Sequence, residues 1–113
     1  EMAARVTALQ QVDGTWHASL LDPDQYPARE TSGTAFYCYA LAWGVNHGLL
    51  NREAYLPAIR WSWNALRQAV QPDGRVGFVQ PIGDQPGAVD ANSTEAYGVG
   101  GFLLAGSEVL EME

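Results

Sequence analysis

Two kinds of apolar segment alternate along this chain. The stretch from residue 52 to 70 places Leu56, Ile59, Trp63, Leu66 and Val70 at helical spacing, with Arg60, Asn64, Arg67 and Gln68 off that stripe. This pattern predicts an amphipathic helix with one buried face. Pro57 fits its first turn, after a short turn begun by Asn51. The segments Ala35 to Val45 and Ala96 to Ala105 are instead apolar on every face, the second carrying Gly98, Gly100 and Gly101. A helix apolar all round is buried all round. Its glycines, each costing about 1 kcal/mol against Ala, make sense only where a neighbour comes close.

Between the helices the pattern shortens. Asp13-Gly14 and Asp73-Gly74 mark tight turns. The alternating stretches Thr15-Trp16-His17-Ala18-Ser19-Leu20 and Arg75-Val76-Gly77-Phe78-Val79 predict short β-strands. Pro-, Gly- and Asp-rich loops then lead to helices capped by Thr31 or Ser32 in one case and Asn92 or Ser93 in the other. Asn92 with Glu95 resembles a capping box.

These elements repeat. Asp13, Gly14, Asp24, Gln25 and Ala28 recur as Asp73, Gly74, Asp84, Gln85 and Ala88, sixty residues later. Five identities in seventeen positions compare with roughly one by chance on ordinary residue frequencies. One insertion later, Ser32 and Ala35 recur as Ser93 and Ala96. The repeat predicts two units, approximately 1–50 and 51–113, each an outer amphipathic helix followed by an inner apolar one. On that arithmetic the chain opens inside a helix, and two hairpins cannot cover both apolar helices. The expectation is an all-α fold, two helical hairpins of an (α/α)6 toroid of about 360 residues, an incomplete barrel with short β-strands in its rim loops.

Composition narrows the partners. With 113 residues, 47% hydrophobic and 17% charged, the chain is neither disordered nor low in complexity. Interruptions by Arg, Asn, Asp and Glu keep every apolar run short of a membrane span. Six Arg against thirteen acidic residues leave a net charge of −7, which argues against nucleic acid as a partner. One cysteine and two histidines exclude an internal disulfide and a structural zinc site. No metal or cofactor is expected. The acidic loop residues Asp22, Asp24, Asp84 and Asp90 lack the calcium-loop pattern.

The run Glu30-Thr31-Ser32-Gly33-Thr34-Ala35, leading into Tyr39-Ala40-Leu41-Ala42-Trp43-Gly44-Val45-Asn46-His47-Gly48, resembles the glycoside hydrolase family of unsaturated rhamnogalacturonyl and glucuronyl hydrolases. Asp13-Gly14-Thr15-Trp16 and Asp90-Ala91-Asn92-Ser93-Thr94-Glu95-Ala96-Tyr97-Gly98 look like the same family's C-terminal part. The resemblance implies a six-hairpin barrel with its pocket at the N-terminal ends of the inner helices. It also implies action on oligosaccharides left by polysaccharide lyases, whose terminal uronate carries a C4=C5 double bond. An aspartic acid protonates that bond, water adds at C5, and the hemiketal rearranges to release the sugar. Those aspartates belong to the family's N-terminal half, so no catalytic residue is assigned here.

Long connections into the inner helices and short ones out of them place function on one rim. Helix N-termini there offer free N–H groups suited to a uronate carboxylate. Trp16 either stacks on a sugar or anchors the loop. His17, beside it, is a sugar contact or an exposed loop histidine. Thr31, Ser32, Asn92, Ser93 and Thr94 bind sugar hydroxyls or cap helices, and Asp90 lies just ahead of an inner helix. Glu30 beside Arg29 is a pocket pair or a solvated surface pair. His47 before Gly48 is structural, and so is Cys38, about 13 Å from His47 along one helix. Trp43 and Trp63 read as core, with Trp61 on the opposite face. The segment alone should be inactive and should either self-associate or require the missing barrel half. The competing reading is a non-catalytic helical-repeat module that binds carbohydrate or a protein partner. Cytoplasm and periplasm both suit the cysteine content.

Overall fold

The computed structural model describes residues 1–83 and 86–112. Its described residues form four α-helices: α1 (Met2–Ala8), α2 (Thr31–Asn46), α3 (Arg52–Gln68) and α4 (Ala96–Glu111), with a 3₁₀ turn at Pro23–Gln25. The inner apolar helix α2 packs most extensively on its counterpart α4 and next on the amphipathic α3. The core lies between them, built from Ala35, Cys38, Leu41 and Ala42 of α2, Ile59 and Leu66 of α3, and Ala105 and Val109 of α4, with Trp16 from the loop before α2.

Helix α3 behaves largely as its pattern predicts. Ile59 and Leu66 are buried and Arg60, Asn64, Arg67 and Gln68 exposed. The stripe frays at its end, where Val70 is partly exposed beyond the last turn. Asn51 is the N-cap, its side chain accepting from the Ala54 N–H at 2.9 Å. The helix therefore starts at Arg52 and Pro57 sits in its interior rather than its first turn. The ring deprives the Glu53 carbonyl of its helical partner, but both residues are exposed and water can take that role.

Three of the four glycines of α4 mark close approaches, while Gly100 faces open space against expectation. A Cβ on Gly98 would stand 2.5 Å from Val79, and one on Gly106 2.8 Å from the Trp63 ring. Gly101 faces Ala35 and Phe36 of α2. Gly101 thus lets α2 approach α4, Gly106 admits the Trp63 ring of α3, and Gly98 admits Val79. The helices' other faces are bare within this chain: Phe36 and Trp43 on α2 are exposed, as are Val99, Leu103, Leu104 and Leu110 on α4. Trp43 is thus not a core residue here but stacks on His47, 4.0 Å between ring centres. Trp63 is half-buried against Phe102, while Trp61 is exposed as its position predicts.

The expected β-strands are replaced by two isolated bridges, His17 with Arg29 and Val70 with Val76. Each alternating stretch is too short to extend a ladder and spends its remaining backbone groups on helix ends and loops instead. The two Asp-Gly turns share one geometry. Gly14 and Gly74 have φ of +88° and +89°. Asp13 and Asp73 each accept from the N–H two residues on, at 2.9 and 3.0 Å. The Gln11 and Gln71 N–H groups close the turns on the Thr15 and Arg75 carbonyls.

Candidate functional site

The candidate site forms where the N-termini of α2 and α4 meet the segment Gly77 to Gln80. That segment is held by backbone bonds on both sides. The Phe78 carbonyl accepts from the Thr31 N–H at 2.8 Å, and the Phe78 N–H donates to the Asp90 carbonyl at 2.9 Å. The Val79 N–H donates to the Ser93 carbonyl at 2.8 Å, and Thr31 Oγ1 donates to the Gly77 carbonyl at 2.6 Å. These bonds hold Phe78 at φ +61°, a left-handed conformation costly for a bulky residue unless its surroundings impose it. Gly77 is required because a Cβ there would lie 2.3 Å from the Ala91 carbonyl oxygen.

Glu30 is the centre of this arrangement, in a role that its place beside Arg29 in the sequence does not indicate. It is the N-cap of α2, only 7% exposed, and accepts from the Ser32 and Gly33 N–H groups at 2.9 and 2.8 Å. The Ser32 hydroxyl also points at both carboxylate oxygens, at 2.8 and 2.9 Å. From the segment ahead of α4 the Gln80 N–H donates at 3.0 Å. Glu30 is therefore neither a surface pair nor a pocket pair with Arg29. The Arg29 guanidinium lies instead over the Phe78 ring, 4.3 Å from its centre. The caps are also reassigned: Thr31 and Ser32 fall inside α2, and Glu95 rather than Asn92 or Ser93 precedes α4, without a side-chain cap. The Glu30 side chain is longer than the Ser, Thr, Asn and Asp usual at an N-cap, yet reaches back to fill that role.

One expectation about charge changes with this. The α2 N-terminus is occupied by the protein's own carboxylate, so those N–H groups are not free for a uronate. Tyr97, in the first turn of α4, donates its hydroxyl to the Gln80 carbonyl. Desolvation first, then the charges of Glu95 and Glu30, holds that hydroxyl above the usual tyrosine range.

The remaining candidates separate by exposure. Trp16 is 1% exposed, with its Nε1–H donating to the Val6 carbonyl at 2.8 Å and its ring tilted against Tyr37. Both indole faces are covered within the chain, so it anchors the loop and does not stack on a sugar. His17 is half-buried, its Nδ1 3.1 Å from the Pro23 carbonyl oxygen. Thr31 and Ser32 are buried and spend their hydroxyls internally. The accessible groups lie just ahead of α4. Asp90 and Asn92 are exposed, and Ser93 and Thr94 half-buried. Asp90 Oδ1 accepts from the Asn92 N–H at 2.8 Å and faces the Ser93 hydroxyl at 3.3 Å. The structure thus brings Thr31, Ser32, Asp90 and Ser93 around one segment, while Trp16 packs against Val6, Thr34 and Tyr37. Among the described residues no group of three or more His, Cys, Asp or Glu side chains is placed to hold a metal ion. Asp84 lies outside the described residues.

Comparison with known proteins agrees with this fold. An unsaturated 3S-rhamnoglycuronyl hydrolase of Formosa agariphila is 51% identical over the whole chain, which spans 30% of that protein's length. A protein of the same name from an Alteromonas strain is 44% identical over 96% of the chain and 26% of its own length. A solved glycosyl hydrolase family 88 structure from Bacteroides vulgatus superposes with a TM-score of 0.94 at 45% identity, over 99% of this chain and 33% of that one. The four helices are accordingly hairpins of an (α/α) toroid, and the chain spans about a third of these relatives. The sequence model of Glycosyl Hydrolase Family 88 matches residues 1–113, and the chain belongs to that family.

Proposed function

We infer that this chain is part of a glycoside hydrolase that removes unsaturated uronic acid from lyase-generated oligosaccharides by hydrating the C4=C5 double bond. The observation that carries this reading is the 51% identity, along the entire chain, to a relative named for unsaturated rhamnoglycuronyl hydrolysis. In the proposed reaction a proton adds to C4 and a water oxygen to C5. The hemiketal opens and expels the neighbouring sugar. The proton donor is expected elsewhere in the ring.

The contribution of these residues is to shape and rigidify part of the pocket rim. The exposed side chains of Asp90 and Asn92, with Ser93 and Thr94 beside them, can meet sugar hydroxyls, while Thr31, Ser32 and Trp16 hold the floor on which they stand. His17 borders the first rim loop. In this reading residues 1–50 and 51–113 are two successive units of the ring. Further hairpins then cover the bare apolar faces of α2 and α4, as burial energetics requires of exposed Leu, Phe and Trp side chains in such density.

The test is turnover of a lyase-generated unsaturated disaccharide by the full-length protein that carries this chain, followed by loss of the double bond's ultraviolet absorbance. Disappearance of that absorbance with release of the second sugar supports the reading. Cleavage of a saturated glycoside in preference to the unsaturated one contradicts it.

A further inference from the structure

Beside the candidate site lies a cleft of about 230 Å³ that shares only Gln80 with it. One wall comes from the first rim loop, with Gln25, Tyr26 and Pro27, and the other from the second, with Gln80 and Gly87. Three alanines complete it. It therefore exists only because the two rim loops face each other.

Both walls are braced. The Gln80 side chain clasps Gly87 at both ends, its amide donating to the Gly87 carbonyl while its oxygen accepts the Gly87 N–H at 3.1 Å. The Gln80 backbone is fixed in turn by the Glu30 carboxylate and the Tyr97 hydroxyl. On the opposite side, the His17 ring contacts the Pro23 carbonyl and the His17–Arg29 bridge closes the base of the loop. The walls meet where the Arg29 guanidinium covers the Phe78 ring. A cleft braced in this way is largely formed before anything enters it.

Its chemistry selects a class of ligand. Tyr26 is half-buried and offers an aromatic face with a hydroxyl, the Gln25 amide offers a donor and an acceptor, and the alanines leave the floor smooth. None of the described lining residues is ionisable at neutral pH. A carboxylate or sulfate would lose its water there without a compensating charge. The volume is below the roughly 300–1,000 Å³ of pockets for drug-sized ligands, which fits one ring rather than several.

We propose that this cleft is an accessory subsite for one uncharged sugar ring, a unit of the oligosaccharide beyond the bond that is cleaved. The proposal rests on the hydrolase reading above. It makes the protein a better catalyst for longer chains than for the disaccharide, with the preference held by Tyr26 rather than by the reacting end.

The full-length protein is assayed on an unsaturated disaccharide and on the corresponding tetrasaccharide, and the ratio of kcat/KM values is compared between variants. Tyr26→Ala and the cleft-filling Ala88→Leu are each expected to lower the tetrasaccharide-to-disaccharide ratio by about fivefold, the worth of one aromatic contact. Tyr26→Phe, which keeps the ring, should retain most of the preference. Ratios unchanged by both Tyr26→Ala and Ala88→Leu overturn the subsite while leaving the hydrolase reading intact. Absence of turnover of either substrate by the unsubstituted protein overturns the hydrolase reading, and the subsite falls with it. Because the ratio is internal to each variant, partial loss of folded protein does not alter it.

Discussion

Removing the Glu30 carboxylate should uncouple the two halves of the rim. The carboxylate accepts from the Ser32 and Gly33 N–H groups and, across the loops, from the Gln80 N–H, all within 3.0 Å. Losing an N-cap costs about 1 kcal/mol. Leaving the partly buried Gln80 donor without a partner adds about 1–3 kcal/mol. Glu30→Ala should therefore destabilise the rim by roughly 3 kcal/mol. Glu30→Gln keeps one acceptor oxygen but loses the charge and turns an NH₂ group toward a donor, so roughly half that loss is expected. Amide hydrogen exchange reads this locally. The Gln80 and Gly33 amides should exchange about a hundredfold faster in Glu30→Ala, since each 1.4 kcal/mol is tenfold. Less than a threefold change at Gln80 in Glu30→Ala would refute the reasoning. So would equal losses in the two variants, which would mean that the carboxylate's hydrogen-bond geometry contributes nothing.

Further outcomes follow from the packing, the turns and the buried thiol. Gly98→Ala should destabilise the chain by about 1–3 kcal/mol in urea unfolding, because its Cβ would overlap the buried Val79 side chain. Gly100→Ala, which meets no atom within 4 Å, should stabilise it by up to about 1 kcal/mol. Gly74→Ala should cost about 1–2 kcal/mol for its left-handed φ, and Gly14→Ala more, since its Cβ would also lie 2.6 Å from the Trp61 carbonyl oxygen. Burial pushes the Cys38 thiol up to about 11, against a lesser lowering by Ser62, so alkylation of the folded chain should be slow at pH 8. The folded state holds that proton more tightly than the unfolded one. Stability should therefore fall as pH rises from about 9 to 11, a loss made smaller by Cys38→Ala, in which the contribution of Tyr97 remains.

The helices were legible because their apolar positions keep helical period and their ends carry Asn51 and Gly48. The Asp-Gly turns were legible because a positive φ at Gly14 and Gly74 demands that residue. The rim was harder to read. Thr31 and Ser32 look like caps in sequence, yet the longer Glu30 side chain takes that role and buries itself through a partner fifty residues away. Trp16 looks like a sugar platform, and only the tertiary contact with Val6 and Tyr37 shows both its faces covered. Two short alternating segments suggested strands, but a strand needs a partner of matching length, and each found a single bridge. Trp43 was expected in the core because its helix is apolar all round, whereas within this chain that face is bare.

The claim at the centre of this account is that the chain supplies a third of a ring and part of a sugar pocket without the proton donor. Mixing the purified 113-residue chain with the complementary piece of the full-length protein tests it most directly, with unsaturated disaccharide turnover as the readout. Neither piece alone should turn the disaccharide over, and mixing the two should restore turnover. Turnover by the 113-residue chain alone would contradict it.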